Sequence, residues 1–146
     1  KCSSFKVKQV IIISSLESVK ILLKKSDMFL NSAKGNIGRK LYDVTCFEAE
    51  QATQLFLKAY ILKFSGLVPR THSIRTLLGH LASVPKVDRK TVTEFASEYR
   101  SDLIMLEDAY IRSRYSGEAY NRQDAKKCIE VAEKVIELVR RLIVDL

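Results

Sequence analysis

A chain of 146 residues fits one ordinary domain, long enough to bury about two-thirds of the surface its unfolded form exposes, so no metal or disulfide is needed to hold it. Apolar residues make up 47% and charged residues 29% of it, which excludes a disordered tail and a membrane span. The formal net charge of +8 is unevenly placed: residues 1–25 hold six Lys against one Glu, and residues 66–90 hold three Arg and two Lys against one Asp. Concentrated positive charge attracts phosphate-bearing partners through steering and counterion release, although a charge run is more often only a solvated face.

The chain opens without methionine, as a trimmed product would. Lys1 to Val10 is basic and runs into Val10-Ile11-Ile12-Ile13, an apolar stretch too short for the core of a signal peptide or for a membrane helix. The approximate period of Val19, Leu23, Leu30, Ala33 and Ile37 predicts helices over about 5–24 and 27–38 and leaves open whether they join. Gly35 and Gly38 each cost about 1 kcal/mol there relative to Ala. From Leu41 to Phe64 the pattern is helical and, in its second half, apolar almost all round, which places this helix centrally in a bundle. Gly66 is placed to end it, and Pro69 prevents its resumption.

A short helix is expected from Ser73 to about Ala82. A long one follows over about 88–112, capped by Asp88, with Val92, Phe95, Tyr99, Leu103, Leu106 and Tyr110 as its inward stripe. Gly117 and its polar neighbours break the chain. Asn121, with Asp124 three residues on, caps the last helix, where Ala125, Ile129, Ala132, Ile136, Val139 and Ile143 face inward. Lys126, Glu130, Glu133, Lys134, Glu137 and Arg141 face water on its other side. Nothing alternates as a strand does. The fold class is all-α, an antiparallel helical bundle with short connections.

Cys2, Cys46 and Cys128 are odd in number, far apart and without zinc-ligand spacing. Cys46 and Cys128 fall among apolar positions, where a free thiol behaves as a small hydrophobe, so a disulfide is not expected and a reducing cytoplasm fits. No glycine-rich phosphate loop and no HExxH occurs, so neither a P-loop nucleotide site, a cofactor nor a metal is expected. The only imidazoles are His72 and His80, for which capping or surface roles are the plain reading. Arg75 and His80 stand in the order R-x4-H, but five residues turn a helix through about 500° and part them by about 140°.

The most informative cluster is Tyr110-Ile111-Arg112-Ser113-Arg114-Tyr115, at the end of a long helix where the chain must turn. Two guanidiniums and two phenols there offer bidentate phosphate contacts and stacking surfaces for a base, or else they cap the helix and close the bundle. Glu48, Glu50, Gln51 and Gln54 form a polar patch on an apolar helix, for which Arg112 or Arg114 are the expected partners. Glu48 and Glu50 diverge on a helix and do not make a paired acid and base.

Leu41-Tyr42-Asp43-Val44-Thr45-Cys46-Phe47-Glu48-Ala49-Glu50-Gln51-Ala52, then Leu57-Lys58-Ala59-Tyr60, Arg70-Thr71-His72-Ser73 and the Tyr110 to Tyr115 run resemble, in content and order, the HEPN domain (higher eukaryotes and prokaryotes nucleotide-binding). The resemblance spans about residues 26–144, which divides the single domain into an N-terminal basic helix at 1–25 and a HEPN-like bundle at 26–146. It implies about five helices beyond that additional one, pairing as a homodimer, and a cleft that handles nucleotide or RNA. It also implies a partner of the minimal nucleotidyltransferase kind in toxin–antitoxin pairs, or metal-independent ribonuclease activity. Arg112, Arg114, Tyr115, Tyr110, Arg70, His72 and Arg75 are the candidate binding residues.

The ribonuclease members carry R-x4-6-H after the long helix, and this sequence departs from that pattern. At the required distances from Arg112 and Arg114 stand Gly117, Glu118, Ala119, Tyr120 and Asn121, and Glu48 occupies a place where many relatives have His. No catalytic residue is assigned. The expected function is a cytoplasmic nucleotide- or RNA-binding module. The alternatives are a ribonuclease with an irregular active site using His72 or His80, or a bundle that only docks proteins.

Overall fold

A computed structural model describes residues 2–115 and 117–144 of the chain, with side chains from Leu16 onward. It consists of α1 (Cys2–Gly38), α2 (Tyr42–Ser65), α3 (Ile74–Ala82), α4 (Arg89–Glu98), α5 (Arg100–Tyr115) and α6 (Arg122–Val144). α2 packs against α1, α3, α5 and α6, as its all-round apolar second half requires. α1 runs antiparallel to it: Ser26 Oγ donates to the Ala52 carbonyl at 2.7 Å, and Thr45 Oγ1 to that of Ala33 at 3.4 Å. Small residues at these crossings (Ser26, Ala33, Ala49, Ala52, Ala59) let the two backbones approach closely. α6 lies parallel to α2 and antiparallel to α5, and one continuous core joins all of them.

The helix ends carry the expected signals. Gly66 takes a left-handed conformation (φ 77°) and its N–H closes on the Leu62 carbonyl at 2.8 Å. Ser73 caps α3, Asp88 caps α4, and Asn121 and Asp124 exchange side-chain bonds with each other's backbone N–H at 2.9 and 3.0 Å.

Three expectations are corrected. The helices expected at 5–24 and 27–38 are one helix, and the polar pair Ser26-Asp27 that suggested a break instead seats a buried serine on α2. The division at residue 25 therefore falls inside α1, where Val19 is buried against Ala59 and Leu62 with Leu23 packed beside them. The helix expected over 88–112 is interrupted at Tyr99, whose ring packs on Phe95 at 4.7 Å and under Lys134 Nζ at 4.7 Å, so that α4 and α5 meet at a bend. Cys46 and Cys128 are not separate thiols: the parallel course of α2 and α6 brings their Cα atoms to 5.3 Å, and they form a disulfide. That pairing removes the argument from free thiols for a reducing cytoplasm. No described helix is long and apolar enough to cross a membrane.

Candidate functional site

Phe47, Gln51, Gln54 and Lys58 recur at three- and four-residue steps and so share one face of α2. Glu50 lies beside them with 0% of its surface exposed. Its carboxylate accepts from the side-chain amide of Gln54 and, at 3.0 Å, from that of Gln51; Gln54 Oε1 in turn accepts from Lys58 Nζ at 3.0 Å. A charge this deep costs free energy unless it is bonded or neutralised. Burial pushes the Glu50 carboxyl up to about 7, against the two amides and the charges of Lys58 and Arg114, which draw it down. Burial also lowers the Lys58 ammonium, with Glu50 opposing.

The last turn of α5 closes over this face. The Arg114 guanidinium stands 4.7 Å from the Tyr110 ring centroid and 5.2 Å from that of Phe47, so two rings share one cation. The His72 ring, on the loop that enters α3, packs against Tyr110 at 4.3 Å. Phe47, Gln51, His72, Tyr110 and Arg114 thus line a groove between α2, α5 and that loop, with Lys58 further along. Arg112, two positions before Arg114 and so about 200° around the helix, lies on another side, over the Tyr120 ring at 5.6 Å. The Tyr120 hydroxyl is buried without a hydrogen-bond partner. Burial pushes it up to about 12, Arg112 opposing and Asp108 adding to the rise.

Of the seven candidate binding residues, the structure therefore gathers Tyr110, Arg114 and His72 in one place. Arg112 faces away from them, Tyr115 is 81% exposed and Arg70 is exposed on the loop before α3. Arg75 is already engaged: Glu107 Oε1 accepts from its Nε at 3.1 Å, from its backbone N–H at 2.7 Å and from Ser73 Oγ at 3.1 Å, which closes the start of α3. The polar patch of α2 also finds partners other than those expected. Glu48 accepts from Asn36 of α1, and Glu50 is held by glutamines while Arg114 acts on it only through its charge.

Phe47 and Lys58 were not singled out by the sequence reading. Their signal was positional, an aromatic and a lysine on the same helical face as the glutamines. Asp43, also overlooked, fixes the turn between α5 and α6 by accepting from the N–H groups of Ala119 (3.1 Å) and Tyr120 (2.9 Å). It lies in a separate cleft of about 630 Å³ that none of the seven candidates lines. Among the described residues no group of three or more His, Cys, Asp or Glu could hold a metal ion.

The family model of the HEPN domain matches residues 19–142. The chain belongs to the HEPN domain family. Among solved structures, TT1696 from Thermus thermophilus superposes with a TM-score of 0.68 and 27% identity, over 88% of this chain and 98% of that one. ST0689, an archaeal HEPN homologue, gives a TM-score of 0.61 at 25% identity, over 84% of this chain and 94% of the other. No curated protein matches the sequence. The HEPN match begins within α1, at Val19, and takes in all of α2 to α5.

Proposed function

We propose that this HEPN domain binds a nucleotide or single-stranded RNA in the groove between α2 and the last turn of α5. The observation that carries this reading is the Arg114 guanidinium stacked on Phe47 and Tyr110, with Lys58 on the same helix face as Phe47. A planar cation over two rings offers a base a stacking surface and a phosphate a bidentate fork. Net charge of +8 supplies the long-range attraction. The test is fluorescence anisotropy of a labelled single-stranded RNA in EDTA at low and physiological salt. Saturable binding that weakens as salt rises, and weakens at least about ten-fold in Arg114→Glu and in Phe47→Ala, supports the groove. Unchanged affinity in both variants overturns it.

A second reading has its own observation. His72 and Arg114 both pack on the Tyr110 ring, so a titratable imidazole and a phosphate-binding guanidinium share one groove without the R-x4-6-H spacing. That pair suits a metal-independent ribonuclease with an irregular site. Cleavage of RNA in EDTA, lost in His72→Ala, would favour it, and a pure sample that leaves RNA intact would sink it.

We further propose that the domain works as a homodimer. Ile21 and Met28 of α1 are more than half exposed, and Met28 and Phe29 line an apolar groove beside Glu48. Light scattering from the purified protein reads the oligomeric state directly. A minimal nucleotidyltransferase partner of the toxin–antitoxin kind and a cytoplasmic setting complete the proposal and rest on family membership.

A further inference from the structure

Glu50 is an unusual choice for its place. A leucine or methionine would fill a fully buried position on a central helix at no electrostatic cost, whereas a carboxylate there must be bonded on both oxygens. What the carboxylate achieves is orientation. Because an ionised carboxylate only accepts, each glutamine that meets it must turn its amide nitrogen inward and its carbonyl oxygen away. Gln54 is buried, and its oxygen is taken by Lys58. Gln51 is only partly buried, and among the described residues its oxygen accepts no hydrogen bond. It stands one helical turn beyond Phe47, whose ring lies under Arg114. A base stacked on that platform has its edge at Gln51.

We propose that Gln51 reads the base in this groove, that Glu50 acts as the positioning residue that fixes the Gln51 amide, and that adenine is the base the pair selects. The inference rests on the nucleotide-binding reading of the groove. The chemistry follows from what Gln51 presents, an outward carbonyl acceptor beside its second N–H donor. Adenine offers the matching amino donor beside a ring-nitrogen acceptor on both exposed edges, N6 with N7 and N6 with N1. Guanine shows two acceptors on its outer edge, and uracil and cytosine have only one hydrogen-bonding edge each. Adenine is thus complementary to the fixed amide whichever edge the stacked base turns toward it.

The experiment is an anisotropy titration of the whole chain with four labelled RNA pentamers, UUAUU, UUCUU, UUGUU and UUUUU, at pH 8.5 so that Glu50 is ionised. The expected result is about ten-fold tighter binding of UUAUU than of the other three. In Gln51→Leu the four affinities should converge on the value for UUUUU, and in Glu50→Leu the preference should shrink while Gln51 is still present. Gln51 is at the surface, and a far-UV spectrum matching the parent confirms that its variant folds. Equal binding of all four pentamers by the parent protein, or a preference that survives Gln51→Leu, overturns base reading while leaving the groove standing. Binding of none of them overturns the groove and the base reading together.

Discussion

Glu50→Gln should stabilise the protein at alkaline pH and leave it nearly unchanged in acid. In the folded chain the carboxyl holds its proton up to about pH 7, against an ordinary value of 4.5. The folded state therefore binds that proton more tightly than the unfolded state does. The stability this provides is fully present below about pH 4.5, falls as pH rises toward 7 and is absent above it. At about 1.36 kcal/mol per pH unit, the interval between 4.5 and about 7 corresponds to about 3 kcal/mol. Lys58 and Arg114, the cations that act on Glu50, are already included in that position. Glutamine keeps the size of the side chain and does not titrate. One of the two amide donors at Gln51 and Gln54 must then turn, as it must when Glu50 is protonated, so parent and variant should be nearly equal near pH 4.5. Urea unfolding from pH 4.5 to 8.5 measures the difference, and other titrating groups cancel because both proteins carry them. The variant should gain about 3 kcal/mol over the parent across that range, or about 10 °C in Tm at the alkaline end. Parallel pH profiles for the two proteins would refute the assignment of Glu50 as a buried, proton-holding carboxyl.

Two further outcomes follow from the packing. Asp43→Ala removes the acceptor for the Ala119 and Tyr120 N–H groups and should lower the unfolding free energy by about 2 kcal/mol in urea; a loss under about 0.5 kcal/mol would show that solvent replaces those bonds. The Cys46–Cys128 disulfide closes 82 residues, which on the chain-entropy account is worth about 4 kcal/mol. Reduction or Cys128→Ser should lower Tm by roughly 10 °C, and a thiol titration of the denatured, unreduced chain that finds three free thiols would refute the pairing.

The fold was legible wherever one rule of periodicity acted alone. In α6 every inward residue named from the sequence is buried or half-buried, and of the residues named as outward only Lys134 is not fully exposed. Caps at Asp88 and Asn121 and the stop at Gly66 were legible for the same reason, since each depends on residues within one turn of it. The bend at Tyr99 was not. The apolar stripe runs through it without a shift of phase, and neither glycine nor proline marks it. Ser26 failed in the opposite direction, because a polar residue between two apolar stretches reads as a gap until a carbonyl from another helix is found to hold it. Cys46 and Cys128 are 82 residues apart, and only the parallel pairing of α2 with α6 makes them neighbours.

The site was legible as a composition and illegible as an arrangement. Two arginines two positions apart look like one cluster in a sequence, yet on a helix they must point to different sides, and Arg112 and Arg114 stack on different rings. Arg75 looked free because its partner, Glu107, lies on another helix. The glutamate patch shows most clearly what a one-dimensional reading lacks. Glu48 and Glu50 carry the same side chain two residues apart, so α2 turns one toward Asn36 at the α1 boundary and the other into the interior. Only the second loses enough solvent to hold a proton near neutrality. The same burial makes Glu50 hold the two glutamine amides, and so couples a property of the core to the one amide at the groove, Gln51.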